Sequence, residues 1–178
     1  MTAAQPIDLL SDHQPATGAD VASAPAIVRR VAEAMDRAAI PYTLKMLPHP
    51  MTAAEEIAEA CGCDVNFVVQ AMLMRGKATK KNFLILHSAA TRINDRVLGP
   101  MVGENLQRAD ADFTLRFTGY PMGCVPPLGH QNRVPVLMDI GLTRFARVLC
   151  PSGAPDALFS LPTLVLARAV SARIVQFN

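Results

Sequence analysis

Thr118-Gly119-Tyr120-Pro121-Met122-Gly123-Cys124-Val125-Pro126-Pro127-Leu128-Gly129-His130 is the most heavily punctuated stretch of the chain. Three Gly and three Pro fall within the twelve residues from Gly119 to His130, a density that neither a helix nor a central strand tolerates. The segment therefore reads as a shaped loop. Gly123 has no side chain and can bring its backbone amide close to a ligand, while Pro126-Pro127 stiffens the backbone that follows. Such a loop can stabilise an oxyanion. Taken alone, the commoner reading is a structural crossover between strands.

Upstream, Ile27, Val31, Ala34, Met35 and Ala38 recur at helical spacing with Arg29, Arg30, Glu33 and Arg37 between them, which predicts an amphipathic helix over 25–39 closed by Pro41. Residues 42–47 read as a short strand ended by Pro48 and Pro50. Thr52-Ala53-Ala54-Glu55 has the spacing of a capping box, so a second helix is expected from there to about Cys61, with Gly62 in the left-handed conformation at its end. The apolar runs 67–74 and 83–87 predict two paired strands around a turn containing Gly76. Asn94 is placed to cap a helix over 95–102, and 106–109 reads as a short strand. Beyond the loop, 134–139 and 144–150 are strand candidates. Residues 161–170 read as a helix with Pro162 in its first turn, and 171–177 as a last strand or an extension of that helix. Short strands and helices without regular alternation predict a single α+β domain around one mixed sheet. Residues 1–24, made largely of Ala, Ser, Asp, Pro and Gly, read as a flexible leader to a folded domain over 25–178.

The 178 residues contain no Trp, are 51% apolar and 18% charged, and carry a net charge of +2, a balance that supports one core and excludes a fibre, a disordered chain or a disulfide scaffold. Four Cys are too few to staple a chain of this length, and Cys61-Gly62-Cys63 has one intervening residue where metal and redox pairs usually have two. Reduced thiols and a cytoplasmic location are expected. No apolar run approaches the roughly 20 residues of a membrane-spanning helix, so no membrane is expected among the partners. The first residues carry Asp8, Asp12 and Asp20 where a secretory signal has a basic start and a long apolar stretch. Charge is unevenly spread: 1–60 hold four Lys/Arg against eight Asp/Glu, and 61–178 hold thirteen against seven, so the halves carry about −4 and +6. The basic half suits a polyanionic partner, although a surface of this charge is more often simply solvated.

The loop does not stand alone. From Thr118 to Gly129, followed by Arg133-Val134-Pro135-Val136 and Asp139, it closely resembles the signature of the YbaK/EbsC family, which contains free-standing prolyl-tRNA editing proteins and the related editing insertion of bacterial prolyl-tRNA synthetases. Pro41-Tyr42, His49-Pro50 and Thr52-Ala53-Ala54-Glu55-Glu56 resemble the family's first strand and the start of its second helix, so the likeness runs over about 25–177. It implies a partly barrel-like sheet surrounded by helices. It also implies hydrolysis of the ester of wrongly charged tRNA, typically tRNA(Pro) carrying Ala or Cys; no cofactor or metal is expected. Gly123 and Pro127 would be the fixed points of the family's G-x-x-x-P loop, with the Gly123 amide toward the substrate carbonyl or terminal ribose. Gly119, Tyr120, Cys124, Val125, Pro126, Gly129, His130, His49 and Ser152 would line or shape the substrate site. The partners implied are the acceptor end of tRNA and an aminoacyl-tRNA synthetase.

Two positions depart from the family pattern. In Val68-Val69-Gln70-Ala71-Met72-Leu73, Gln70 occupies the place of the family's Lys, so a hydrogen-bond donor remains without its positive charge. An acidic residue common after the family's Ser-Gly turn corresponds to Leu158, with Asp156 two residues earlier after Ser152-Gly153. An altered deacylase and a module that binds aminoacyl-tRNA without turnover are thus both consistent with the sequence. Lys45, Arg75 and Lys77 are the cations considered as replacements, Lys45 being more readily a solvent-facing strand residue. Cys124 is a possible nucleophile but is better read as a small buried thiol, and His130 as a possible base but better as a supporting residue. His49 and His87 have no partners at metal-ligand spacing.

Overall fold

The computed structural model describes residues 18–177. Two helices open the described chain, α1 (Gly18–Ser23) and α2 (Ala26–Arg37). The first lies inside the stretch read as leader, and 1–17 lie outside the described residues. The periodic apolar face of α2 buries Val28, Val31 and Met35 completely, each contributing roughly 1.5–3 kcal/mol by leaving water. Strand β1 (Thr43–Met46) follows, then α3 (Ala54–Cys61), which ends as expected on Gly62 at φ +64°.

The expected capping box at Thr52 does not form. The N-cap is Ala53, with no side-chain cap bond, so the helix begins one residue later than expected, just after Met51 donates its amide to the Pro155 carbonyl at 2.7 Å. Glu55 is thereby out of register with Thr52 for reciprocal capping.

Strands β2 (Val69–Gly76) and β3 (Asn82–Ser88) form the expected antiparallel pair. Gly76 belongs to the end of β2, and the turn is 77–81, held by the Glu104 carboxylate accepting from the amides of Ala78 and Thr79. Helix α4 (Asp95–Val102) is capped by Asn94, whose Oδ1 accepts from the Arg96 amide, and β4 (Leu106–Arg108) pairs with the far end of β2. Helix α5 (Ala111–Thr118) has no counterpart in the sequence reading. Its Phe113, Leu115 and Phe117 fall at every second residue, as in a strand, while the face it buries carries Thr114 and Thr118. The signals that identify it are its ends, Asp110 accepting from the Phe113 amide and Gly119 at φ +84°.

After the loop come β5 (Val136–Asp139), a 3₁₀ turn (Ile140–Arg144), β6 (Arg147–Pro151), β7 (Ala157–Pro162), α6 (Thr163–Ala169) and β8 (Arg173–Val175). The helix expected from Leu161 starts instead at Thr163. The Ser152-Gly153 turn sends the chain back along β6, and that pairing holds 157–162 extended through Pro162.

Strands β1, β7 and β6 make a three-stranded antiparallel sheet, and β4, β2, β3, β5 and β8 a five-stranded mixed one. A parallel bridge between Val68 and Leu149 joins them. This α+β arrangement is the expected class, with two sheets meeting at a joint that stays open and does not close a barrel. Packing of α2 against both sheets encloses the main core, which includes Val69, Leu84, Leu86, Met138, Phe159 and Leu161.

Candidate active site

A set of hydrogen bonds and ring contacts pins the loop from behind. Arg30 of α2 donates from Nη2 to the Gly119 carbonyl (2.8 Å) and from Nε to the Tyr120 hydroxyl (3.0 Å), with its guanidinium over the Tyr120 ring at 4.4 Å. The Tyr120 hydroxyl donates in turn to the Gly129 carbonyl at 2.9 Å, so the two ends of the loop share one buried side chain. Close packing extends to Gly153, where an added Cβ would lie 2.7 Å from the Tyr120 ring. His130 Nε2 donates to the Pro126 carbonyl (2.7 Å), and burial lowers its pKa, which keeps the ring neutral in that bond. The Cys124 carbonyl accepts from the Gly153 amide at 2.9 Å.

So held, the loop presents Met122, Gly123, Cys124 and Val125 to a cavity of about 430 Å³. Gly123 has φ +88°, a region open to Gly, and no atom lies within 4 Å of where its Cβ would be. The cavity follows Val68 and residues 69–73 of β2, where pairing with β4 has stopped at Met74. Its apolar wall comes from Met51, Ala54, Ile57 and Leu158. Its polar wall comes from Gln70, His87, Thr91 and Arg108.

The cavity therefore brings together four of the residues singled out in the sequence, Gln70, Gly123, Cys124 and Val125. Gly119, Tyr120, Pro126, Gly129 and His130 are off its lining and carry the contacts that hold its loop, and Pro127 is buried in the loop without lining the cavity. Ser152 is fully buried, its hydroxyl donating to the Ala157 carbonyl at 2.7 Å within the β6–β7 turn. His49 is exposed, 4.0 Å from the Glu56 carboxylate and off the cavity lining. Asp156 uses its carbonyl to accept from the Leu47 amide, and Leu158 takes the place on the wall. Burial, and then the nearby Asp156, raise the pKa of the Cys124 thiol, which disfavours the thiolate a nucleophile requires.

None of the three cations considered from the sequence lines the cavity. The Lys45 ammonium acts on the thiols of Cys61 and Cys63, the Arg75 guanidinium sits over the Phe113 ring at 4.8 Å, and Lys77 is exposed in the hairpin turn. Arg108, unmarked in the sequence, is the cation on the wall, paired with Asp95 at 3.1 Å. His87 was also missed as a cavity residue, because its neighbours there come from strand pairing and not from sequence spacing.

The family model for the aminoacyl-tRNA editing domain matches residues 48–169, from the approach to α3 through α6. The chain belongs to the aminoacyl-tRNA editing domain family. Among solved structures, this editing domain is similar to a candidate trans-editing enzyme for prolyl tRNA synthetase, with 27% identity and a TM-score of 0.81 over 88% of this chain and 99% of that one. A scaffold protein used for computational epitope grafting shares the fold at 26% identity and a TM-score of 0.79, over 87% and 98% of the two chains. The proline–tRNA ligase of Desulfitobacterium hafniense (strain DSM 10664 / DCB-2) is 30% identical over 106 residues, which is 57% of this chain and 18% of the ligase. The editing domain thus spans about a fifth of the length of that relative. Among the described residues no helix is long and apolar enough to cross a membrane.

Proposed function

We propose that the editing domain hydrolyses mischarged aminoacyl-tRNA in trans, with substrates of the tRNA(Pro) type, and that Gly123 and Gln70 are its carbonyl-holding groups. The observation that carries this reading is Gly123 itself, left-handed, unobstructed and lining the same cavity as Gln70. An aminoacyl ester is already activated, so holding it and stabilising the charge on its carbonyl oxygen supplies much of the acceleration without a nucleophilic side chain. The Gly123 amide donates to the developing oxyanion. The Gln70 carboxamide adds a neutral donor where relatives have an ammonium. Water adds to the carbonyl carbon, the ester C–O bond breaks, and the free amino acid and the terminal ribose hydroxyl leave. Arg108 and the basic 61–178 half meet the phosphates of the acceptor end, and a synthetase is the natural neighbour that supplies the charged tRNA.

The test is deacylation of Ala-, Cys- and Ser-charged tRNA(Pro) by wild type, Gly123→Ala and Gln70→Lys. The expected result is hydrolysis of at least one substrate by the wild type and its loss in Gly123→Ala. Salt-dependent retention of tRNA without turnover would favour the binding module that the missing ammonium at Gln70 suggests. If only Gln70→Lys is active, the natural chain is such a module.

A further inference from the structure

Strand pairing assembles a polar row that no sequence spacing reveals. In the β2–β3 register Gln70 stands directly opposite His87, which brings their Cβ atoms to about 5 Å on one face of the sheet. The parallel β3–β5 register pairs Leu86 with Met138, and its continuation by one residue sets Asp139 beside His87 on that same face. Asp139 is buried, and its carboxylate accepts from the Gly141 amide (3.2 Å) and from the hydroxyl of Thr91 (3.3 Å), another cavity residue. His87 is only 6% exposed, yet it lines the cavity.

The hydrogen bonding of His87 defines its tautomer. Nδ1 lies 2.8 Å from the Ser88 carbonyl, which only accepts, so Nδ1 carries the hydrogen and Nε2 of the neutral ring keeps its lone pair. Burial lowers the His87 pKa and outweighs the Ser88 bond and the Asp139 charge, which raise it; Arg108 on β4 lowers it further, and Gln70 on β2 is uncharged. The ring is therefore neutral at pH 7. The other ionisable side chains on the cavity wall are Arg108, which has no lone pair to offer, and Cys124, whose raised pKa keeps it protonated. Among the described residues lining the cavity, His87 alone is equipped to take a proton at neutral pH.

We infer that His87 is the proton acceptor of this site, its Nε2 receiving the proton of the water that attacks the substrate ester. The inference rests on the deacylase reading. As the water oxygen bonds to the carbonyl carbon, one water proton moves to Nε2 and the carbonyl π pair moves onto oxygen, where the Gly123 amide and the Gln70 carboxamide hold it. Collapse of that intermediate breaks the ester C–O bond, the imidazolium returns the proton to the departing ribose oxygen, and the ring is neutral again. A neutral residue at position 70 fits this role. An ammonium beside His87 would disfavour the imidazolium that the step must form.

The experiment is single-turnover deacylation from pH 5 to 8 with saturating protein on whichever mischarged tRNA is hydrolysed, with the protein-free rate subtracted. For wild type the rate is expected to climb with pH through a limb centred below the ordinary histidine value of about 6.5, then level off. His87→Asn should lower the plateau by about 10²-fold or more and remove the limb, with tRNA retention unchanged and added imidazole restoring part of the rate to His87→Ala. A wild-type profile without that limb, or a His87→Asn rate within about threefold of wild type, would overturn the assignment; the first needs no variant to fold. Wild-type activity with His87→Asn intact sinks this inference alone. A wild type inactive on every mischarged tRNA sinks the deacylase reading and this inference with it.

Discussion

Removing one oxygen atom from the back of the loop isolates what holds it in place. In Tyr120→Phe the ring still fills its buried seat and still faces the Arg30 guanidinium, but the hydroxyl no longer donates to the Gly129 carbonyl or accepts from Arg30 Nε. A neutral hydrogen bond contributes about 0.5–1.5 kcal/mol net and one from a charged donor about 1.5–3 kcal/mol. Arg30 is half-buried, so its Nε regains some water, and Nη2 keeps the Gly119 carbonyl. The expected loss is therefore about 2–3 kcal/mol, which in a domain of this size lowers Tm by about 4–12 °C. Thermal unfolding followed by circular dichroism measures it, and Arg30→Lys should reproduce part of the loss because an ammonium cannot fork to both partners. A Tyr120→Phe protein melting within about 1 °C of wild type would refute the claim that this hydroxyl ties the two ends of the loop.

Gly153→Ala is expected to lower Tm more than Tyr120→Phe, since the new methyl meets the Tyr120 ring at 2.7 Å and φ is +94°; equal stability would contradict that packing. Gly123→Ala has open space around its new methyl and only an unfavourable φ, so Tm should fall by about 2–4 °C for a cost near 1 kcal/mol while deacylation falls by about 10²-fold. Cys124→Ala should keep deacylation within about threefold of wild type, because its thiol is protonated; activity abolished by that change would restore the nucleophile reading. The lowered pKa values of His87 and His130, caused mainly by burial, mean that the unfolded chain binds more protons than the folded one between those values and about 6.5. Stability from these two rings is thus complete above about pH 6.5 and declines as pH falls, so the urea midpoint should be lower at pH 5 than at pH 7.5, and His130→Asn should reduce that difference.

Much of the fold was legible because local chemistry agreed with it. The α2 stripe, the Gly62 stop, the Asn94 cap and the two runs that became β2 and β3 each carry their own signal within a few residues. The reading failed where tertiary contacts decided the outcome. Helix α5 buries threonines while its aromatics alternate as in a strand, and β7 is extended because β1 and β6 flank it. Helix α3 starts on Ala53 and leaves Thr52 outside it, beside a Met51 amide bonded across the structure to Pro155.

The site divides along the same line. The sequence by itself determined the loop, because Gly and Pro restrict backbone angles wherever they occur, and its resemblance to the family marked Gln70, because the residue type at one aligned position can be compared without knowing its neighbours in space. Only the tertiary structure decided that Tyr120 and His130 brace the loop from behind, that Arg108 supplies the cation on the wall, and that Gln70, His87 and Asp139 form one row. The reason is that register across a sheet joins residues far apart in the chain: Gln70 and His87 are separated by a hairpin, and Asp139 comes from a parallel strand beyond the loop. The burial of His87 and Asp139 beside the exposed Gln70, and the proton chemistry that burial sets, exist only once those three strands pair.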